Sequence, residues 1–279
     1  MRLYLVGTPI GNLGDMSPRA VETLKQVDFI AAEDTRVTLK LLSHFGIQKP
    51  MLSYHEHNLR EMGDKIAARI KSGQSCAVVT DAGMPCISDP GEHLVQLCAR
   101  QGVETVVVPG PSALVAAVAL SGLAAGRFCF EGFLSVKRTS RFDHLEQLRE
   151  DPRTLVFYEA PHKLAATLRD MHQVFGERRV ALARELTKLH EEVVRTTLSQ
   201  AAAHYAQPEN KPRGEFVLVV EGAAPRADER PDFQTAVAMV RALQAQGTGV
   251  SQAAKEVARE TGWKKGDLYQ AALTSNRET

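Results

Sequence analysis

The fold is decided by residues 78–91, which read VVTDAGMPCISDPG. The first residues are apolar and β-branched, which is typical of a buried strand, and a loop with two prolines and two glycines follows at once. A helix is predicted to start directly after the loop, at Gly91-Glu92-His93. Ligands bind at such loops, at the carboxyl ends of strands in α/β sheets. We therefore expect a ligand site here, with glycines that let the ligand approach the backbone.

The same arrangement occurs twice more along the chain. An apolar strand at Leu3–Val6 runs into a glycine-rich loop at 7–14, and a β-branched strand at Thr105–Val108 runs into the loop Pro109–Ala113. The carboxyl ends of parallel strands meet at one edge of a sheet, so the three loops are predicted to form one rim. Together they make a ligand site on this rim our leading hypothesis.

A dinucleotide-binding loop is the obvious alternative for residues 7–14, because Glu33 and Asp34 lie near the distance at which a ribose-binding acid follows such a loop. However, the glycine spacing differs from G-x-G-x-x-G, Pro9 lacks an amide that would face a pyrophosphate, and the helix begins only at Ser17. The loop therefore favours a ligand without phosphates that approaches the backbone closely. A nucleoside such as S-adenosylmethionine fits this description.

Apolar strands alternate with helices over residues 1–121, which predicts a parallel, Rossmann-like sheet covered by helices on both faces. Ser17-Pro18 is predicted to cap and begin the first of these helices. The alternation is looser over residues 122–224, where we expect a second αβα domain with a mixed sheet. Residues 225–279 are predicted to be a linker and a small helical tail, and residues 251–269 resemble a helix-turn-helix. The fold class is therefore α/β, with two αβα domains and a helical tail.

Composition excludes several classes of protein. The chain has 279 residues, of which 44% are hydrophobic and 24% charged, so it can bury a large core and is not globally disordered. A net charge of +1 provides no overall field for nucleic acid, so an RNA partner must meet a local basic patch. No apolar run reaches transmembrane length, and residues 1–6 are too short for a signal peptide. Scattered cysteines disfavour a zinc site and favour a reducing, cytoplasmic location. They are Cys76, Cys86, Cys98 and Cys129.

A set of motifs spans most of the chain in a fixed order. It comprises GTPIGNLGD, AEDTR, TDAGMPCISDPG, VVPGPSA, FYEAPHK, ARELTK and GEFVLVVEG, from about Leu3 to Gly222. This set resembles the tetrapyrrole methylase superfamily, and most closely its branch that acts on ribosomal RNA. The resemblance implies a two-domain homodimer without a metal, which binds S-adenosylmethionine in the cleft between the domains. It also implies methylation of the ribose 2′-hydroxyl of a cytidine in the decoding region of 16S rRNA in the small ribosomal subunit.

The resemblance also assigns residues to the cofactor site. Asp81 is expected to reach the ribose or amino acid part of the cofactor, and Ser112 and Ala113 to lie beside its methionine moiety. Residues of the second domain are expected to close over the adenosine. The full set is Pro9, Asp81, Met84, Ile87, Ser112, Ala113, Tyr158, Ala183 and Glu215.

Charged residues that follow predicted strands are candidates for catalysis. Because a ribose hydroxyl is a poor acid, a base or a polarising contact should help to remove its proton. We expect Arg36 and Lys188 to position phosphate or the hydroxyl, and Glu33, Glu185 or a deprotonated Lys188 to act as the base. A neutral lysine would need a pKa lowered by burial or by like charge. The alternative, that Glu33–Arg36 and Glu185–Lys188 are structural ion pairs, stays open.

Three further features have two interpretations each. His55 and His57 form an HxH pair, but without further ligands nearby they are more typical of a polar loop than of a metal site. The basic loop at 135–141, with Lys137, Arg138 and Arg141, either grips RNA phosphates or is an ordinary solvated loop. The tail either contacts RNA or is a packing or dimerising bundle. Its basic residues are Lys255, Arg259, Lys264 and Lys265.

Competing functions differ in the features that they require. A methyltransferase of the same fold that acts on a tetrapyrrole or another small molecule would need an apolar cleft. An RNA substrate would instead need basic residues at the edge of the site, and RNA binding would account for the helical tail. An adenine-dinucleotide oxidoreductase is disfavoured by the glycine spacing and the proline of the loop at residues 7–14. A ribosome-binding module without enzymatic activity would not need three ligand loops on one rim.

Overall fold

The computed structural model describes residues 1–224 and 231–274. Met1–Ala223 form one compact unit, and the chain from Ala224 onward forms a second. The strands are β1 (Arg2–Val6), β2 (Phe29–Ala32), β3 (Met51–Ser53), β4 (Cys76–Val79), β5 (Glu104–Val108), β6 (Phe128–Phe133), β7 (Thr154–Glu159), β8 (Arg179–Arg184), β9 (Glu192–Thr197) and β10 (Phe216–Val220). The α-helices are α1 (Pro18–Gln26), α2 (Thr35–His44), α3 (Leu59–Lys71), α4 (Gly91–Arg100), α5 (Ala113–Ser121), α6 (Arg138–Leu148), α7 (Pro161–Phe175), α8 (Leu198–Tyr205), α9 (Phe233–Ala245), α10 (Val250–Thr261) and α11 (Lys265–Thr274).

The first sheet is parallel throughout, with the strand order β3-β2-β4-β1-β5. Successive side chains of a strand point to opposite faces, and Phe29 accordingly packs with α3 and α4 while Ile30 packs with α1 and α2. The Ser17 hydroxyl accepts a hydrogen bond from the amide of Ala20, and Pro18 follows as the first helical residue. The predicted parallel sheet with helices on both faces is confirmed.

The second sheet is mixed, with the order β6-β7-β10-β8-β9. β6 and β7 are parallel, whereas the other neighbours are antiparallel. Helices α6, α7 and α8 cover one face. Helix α5 covers the other, where Leu114, Ala117 and Val118 pack with residues of the sheet. The mixed sheet is confirmed, and the boundary at 121/122 stays a prediction, since α5 packs against the sheet that follows it.

The second unit is helical, as predicted. Helices α9, α10 and α11 share a small core that includes Val240, Val257 and Leu268. The Trp263 indole donates a hydrogen bond of 3.0 Å to the carbonyl of Pro231. The basic residues singled out in the sequence are exposed on this unit, and their contact with RNA stays a prediction. The predicted linker at 225–230 lies outside the described residues.

The basic loop at 135–141 differs from its prediction. Helix α6 begins at Arg138, and Arg141 is 5% exposed. Its guanidinium donates to the carboxylate of Asp170 over 2.9 and 2.5 Å and to the carbonyls of Ser135 and Val136. Arg141 is therefore part of the interior and does not face an RNA backbone, whereas Lys137 and Arg138 are exposed.

Across the described residues, no helix is both long and apolar enough to span a membrane. The four cysteines are free thiols.

Replacing Arg141 by leucine is predicted to destabilise the first unit. The Asp170 side chain is fully buried, so the substitution leaves a charge in the interior without its principal partner, which costs about 3–5 kcal/mol. Arg138→Leu is the matched control, because Arg138 also faces Asp170 but its side chain is 60% exposed, and a loss below about 1 kcal/mol is expected. Urea unfolding measures both values, and equal losses would contradict the assignment.

Candidate functional site

The three loops at the rim of the first sheet are joined by backbone contacts. The amide of Gly7 donates to the carbonyl of Val108 over 3.1 Å. A side chain on Gly7 would place its Cβ 2.7 Å from Cα of Gly110. The two loops can therefore approach this closely only because both positions are glycine. The Gly110 amide lies 3.2 Å from Sδ of Met84, which adds the third loop. The rim is therefore one packed structure.

The loop at 81–91 is closed by its own residues. Thr8 and Gly83 exchange backbone hydrogen bonds of 2.9 and 3.1 Å, and Gly83 has a φ of +90° that suits glycine. The Asp89 carboxylate accepts from the amides of Ile87 and Gly91 over 3.1 and 2.7 Å. A Cβ on Gly91 would lie 2.8 Å from Oδ1 of Asp89. Gly91 thus allows the loop to fold on itself, which differs from the expectation that it admits a ligand. Gly83 lines the cavity described below, and its role in ligand approach stays a prediction.

Backbone strain is concentrated near this rim. Cys86 and Ser88 have φ values of 75° and 63°, and Glu185 and Thr187 have 51° and 64°. Left-handed conformations of residues other than glycine are costly and cluster at functional sites. The two strained pairs belong to the loop after β4 and to the loop after β8, and both loops line the same cavity.

A cavity of about 520 Å³ lies between the rim of the first sheet and the ends of β7, β8 and β10. This volume is in the range of roughly 300–1,000 Å³ that is usual for small-molecule sites. Most of the residues that were selected from the sequence line it. They are Glu33, Asp81, Met84, Ile87, Ser112, Ala113, Tyr158, Ala183, Glu185, Lys188 and Glu215.

Pro9 and Arg36 do not line this cavity. The Arg36 side chain is 87% exposed and donates to the carboxylate of Asp34 over 3.0 and 2.6 Å. These hydrogen bonds lower the pKa of Asp34 to about 2. Arg36 therefore pairs with Asp34 and not with Glu33, which was the ion pair considered for the sequence.

The floor of the cavity is acidic. The Glu33 carboxylate accepts from the Thr80 hydroxyl over 2.6 Å and from the amide of Asp81 over 3.3 Å. The Asp81 carboxylate accepts from the amide of Asp34 over 3.1 Å. Partial burial, and then the nearby charge of Glu33, raise the pKa of Asp81 above its ordinary value. Burial likewise raises the pKa of Asp89, against the effect of the amides that it accepts from.

Lys188 stands between two carboxylates of the opposite wall. Its ammonium lies 2.8 Å from Glu185 and 2.9 Å from Glu215. Burial acts to lower the pKa of Lys188, but the hydrogen bonds to Glu185 and Glu215 outweigh it, and the pKa lies above the ordinary value. This direction favours the ammonium form of Lys188, and the role of Lys188 in catalysis stays a prediction. The Glu185–Lys188 ion pair considered for the sequence is present in the structure.

Aromatic residues form the wall supplied by the second sheet. The Tyr158 hydroxyl accepts from the amide of Leu114 at the start of α5 over 3.2 Å. The ring centroids of Phe130 and Phe133 lie 4.8 and 5.5 Å from that of Tyr158. Phe133 lines the cavity but was not predicted from the sequence. Its position at the end of β6, like that of Tyr158 near the end of β7, could have indicated it.

Glu159 also lines the cavity, but its carboxylate is held within the fold. It accepts from the Thr167 hydroxyl over 2.5 Å and pairs with Lys163 at 2.9 Å, and the residue is 2% exposed. His162, three residues further along the chain, is exposed on α7 and does not line the cavity. Glu159 is thus a structural residue at the cavity wall.

A second, smaller cavity of about 240 Å³ adjoins the first. Thr80 and Asp81 line both cavities. Its other walls come from the loop after β1 and from α2. They are formed by Thr8, Pro9, Gly11, Leu13, Val37, Thr38, Lys40 and Leu41.

The HxH pair forms part of the loop after β3. The ring centroids of His55 and His57 are 5.7 Å apart, and His57 is exposed. In the described ranges, no group of three or more His, Cys, Asp and Glu residues has the arrangement of a metal site.

Comparison with protein families gives two matches. The family described as Tetrapyrrole (Corrin/Porphyrin) Methylases matches residues 2–202. The family described as RsmI C-terminal HTH domain matches residues 231–276.

Two relatives are similar over almost the whole chain. A protein of Synechocystis sp. is 50% identical over 274 residues, 97% of each chain, and is called Ribosomal RNA small subunit methyltransferase I. A protein of Xylella fastidiosa with the same name is 48% identical over 268 residues, 96% of this chain and 97% of the relative. Among solved structures, the uroporphyrin-III C-methyl transferase from Thermus thermophilus, in complex with S-adenyl homocysteine, has a TM-score of 0.57 at 19% identity. The match covers 79% of this chain and 97% of that one, and it shows a shared fold.

Proposed function

The chain belongs to the tetrapyrrole methylase family, and we propose that it is an S-adenosylmethionine-dependent methyltransferase of small-subunit ribosomal RNA. The observation that carries this proposal is the cavity of the first unit, which brings together residues from both sheets that the motif set had singled out. The similarity to named relatives supports the substrate, and it extends over both units of the chain.

The cavity wall suits this cofactor. S-adenosylmethionine supplies a methyl group on a positively charged sulfur. Cationic groups are favoured by nearby carboxylates, and the described lining includes six of them but, of lysine and arginine, only Lys188. The carboxylates belong to Glu33, Asp81, Asp89, Glu159, Glu185 and Glu215. The aromatic wall at Tyr158 provides an apolar surface for a purine ring.

We assign the parts of the cavity as follows. Asp81 reaches the ribose or amino acid part of the cofactor, because among the described residues only one of its carboxylate oxygens accepts a hydrogen bond. Ser112 and Ala113 lie where α5 begins, and the first amides of a helix favour a carboxylate such as that of methionine. Met84 and Ile87 offer backbone contacts, while Pro9 borders the cofactor from the second cavity. Tyr158, Ala183 and Glu215 enclose the adenosine.

The acceptor is the 2′-hydroxyl of a cytidine in the decoding region of 16S rRNA, within the small subunit. A carboxylate of Glu33 or Glu185 takes the proton of this hydroxyl, since the two carboxylates beside Lys188 raise its pKa and favour its ammonium form. Lys188 holds Glu185 and Glu215 in place and presents a positive charge to the RNA. Arg36, exposed beside the rim, contacts a phosphate.

Methyl transfer to small subunits tests the function. Subunits from a strain that lacks this gene, incubated with the purified chain and radiolabelled S-adenosylmethionine, are expected to carry label as 2′-O-methylcytidine after nuclease digestion. Subunits from the parent strain are the control, because their site is already modified. Parallel reactions with protein-free 16S rRNA and with a uroporphyrinogen separate the alternatives. Label in the tetrapyrrole, or none in RNA, would overturn the proposal.

Three substitutions separate cofactor binding from catalysis. Asp81→Asn is expected to weaken cofactor binding about tenfold or more. Because the pKa of Asp81 lies above 3.8 and the cofactor favours the ionised form, the wild-type affinity falls as the pH drops through that raised value, and the variant loses this dependence. Glu33→Gln and Glu185→Gln should weaken cofactor binding less than Asp81→Asn does, and the one that replaces the base should slow single-turnover transfer roughly 10²–10⁴-fold.

Equilibrium dialysis and quenched flow measure these two quantities. Asp143→Asn, an exposed carboxylate on α6, is the matched control and should change neither. Normal cofactor affinity in Asp81→Asn would refute the assignment of Asp81.

The chain is also proposed to be a homodimer. Apolar side chains are exposed on two consecutive elements of the first unit: Val107 is 51% exposed on β5 and Val115 58% exposed on α5. Exposed apolar patches mark protein interfaces. Val115→Glu is therefore expected to give monomers in sedimentation equilibrium, because the interface would bury an unpaired charge. Val136→Glu, 75% exposed elsewhere, should leave the dimer intact. A wild-type chain that sediments as a monomer would contradict the proposal.

A further inference from the structure

We propose that the second cavity binds the pyrimidine ring of the acceptor nucleotide, turned out of the RNA strand. This inference rests on the proposed function and adds to it a base-binding site. Residues of α2 line this cavity, which lies beside the cofactor cavity; the proposed function uses only Pro9 from it, at the border of the cofactor, and assigns it no ligand of its own.

The position of the cavity fits a base whose ribose is to be methylated. Thr80 and Asp81 form a wall shared by the two cavities. A ring in the smaller cavity leaves its sugar at this wall, within reach of the larger one. In a nucleotide the base and the 2′-hydroxyl are attached to adjacent ribose carbons, so two adjoining sites are what such an acceptor needs.

The size and the walls fit a single ring. At about 240 Å³ the cavity is smaller than the roughly 300–1,000 Å³ of ordinary ligand sites. Its walls include Leu13 and Val37, which are 42% and 39% exposed, together with Leu41. Enzymes that turn out a nucleotide hold the base between apolar side chains. An occupant of this kind would cover apolar surface that otherwise faces water.

Two polar side chains of α2 line the cavity. Thr38 is 3% exposed, and its hydroxyl makes no hydrogen bond within residues 1–224 or 231–274. It can donate to or accept from the edge of a base. Lys40 is exposed at the rim and, in the same described ranges, takes part in no ion pair. Its ammonium can meet the phosphate of the same nucleotide.

The cavity is held open by the fold. Thr8 is fixed by its backbone bridge to Gly83, and its hydroxyl donates to the carbonyl of Thr80 over 3.1 Å. Asp34 caps α2 through the amide of Arg36. Because both walls are anchored, a ring meets a preformed site, which reduces the cost of binding.

Val37→Trp tests the inference, because the larger side chain fills the cavity. We expect the KM for small subunits to rise about tenfold or more while the dissociation constant of S-adenosylmethionine stays unchanged. Leu39→Trp is the matched control: Leu39 is 54% exposed on the same helix, two residues away, and lines neither cavity. Thr38→Val, which keeps the shape and removes the hydroxyl, should also raise the KM without affecting the cofactor.

Each outcome decides the question. Unchanged kinetics in Val37→Trp and Thr38→Val would overturn the inference, and weaker cofactor binding in both would assign the cavity to the cofactor instead. Equal losses in Val37→Trp and Leu39→Trp would show an RNA-binding surface of α2 without a base site. If Val37→Trp melts well below the wild type, Thr38→Val decides by the same criteria. Failure of the wild-type chain to methylate RNA would contradict the proposed function itself, so the two failures are distinguishable.

Discussion

The rest of the site depends on the paired backbone hydrogen bonds between Thr8 and Gly83. β1 and β4 are neighbours in the sheet, so their loops leave the same edge side by side, and these bonds hold the loops together beyond the strands. A single hydrogen bond contributes only about 0.5–1.5 kcal/mol to stability. The three loops are rigid because they are held together by several contacts at once. The close approach of Gly7 and Gly110 joins the third loop to the other two. Both cavities are bordered by this assembly.

Local patterns in the sequence were sufficient for much of the fold. Ser17 caps a helix through its own hydroxyl, with Pro18 as the first helical residue, and apolar strands that alternate with helices indicate a parallel sheet. The carboxyl ends of such strands share an edge, so the loop after β4 could be predicted to line a site on that edge, whereas the role of Asp81 within it came from the family resemblance. These inferences hold because their causes lie within a few residues or follow from topology.

The remaining features depend on partners that are distant in the chain. Arg141 stands in a basic run that looks solvated, and only the approach of Asp170, 29 residues away, shows that it is buried. The partners of Lys188 include Glu215, 27 residues away, and without them the sign of its pKa shift could not be predicted. Gly91 was assigned to ligand access because a sequence does not reveal that its nearest neighbour is Asp89 of the same loop.

The charges around the two cavities make opposite demands on a nucleic acid. The carboxylates of the larger cavity repel phosphates, so in the proposed reaction an RNA strand presents its sugar there while its phosphates stay outside. An A-form duplex displays its 2′-hydroxyls in a wide, shallow groove, and such a surface cannot enter a concave site, whereas a splayed single-stranded nucleotide can. When one nucleotide is inserted, its base loses the stacking on its neighbours in the strand. A base left in water would not recover this stabilisation, so a binding site for the base is favourable. An apolar cavity beside Asp81, with a lysine at its rim, meets the need for a base site and for a phosphate contact at once. The negative charge of the first cavity therefore favours a second cavity that is apolar and has a positive charge at its edge.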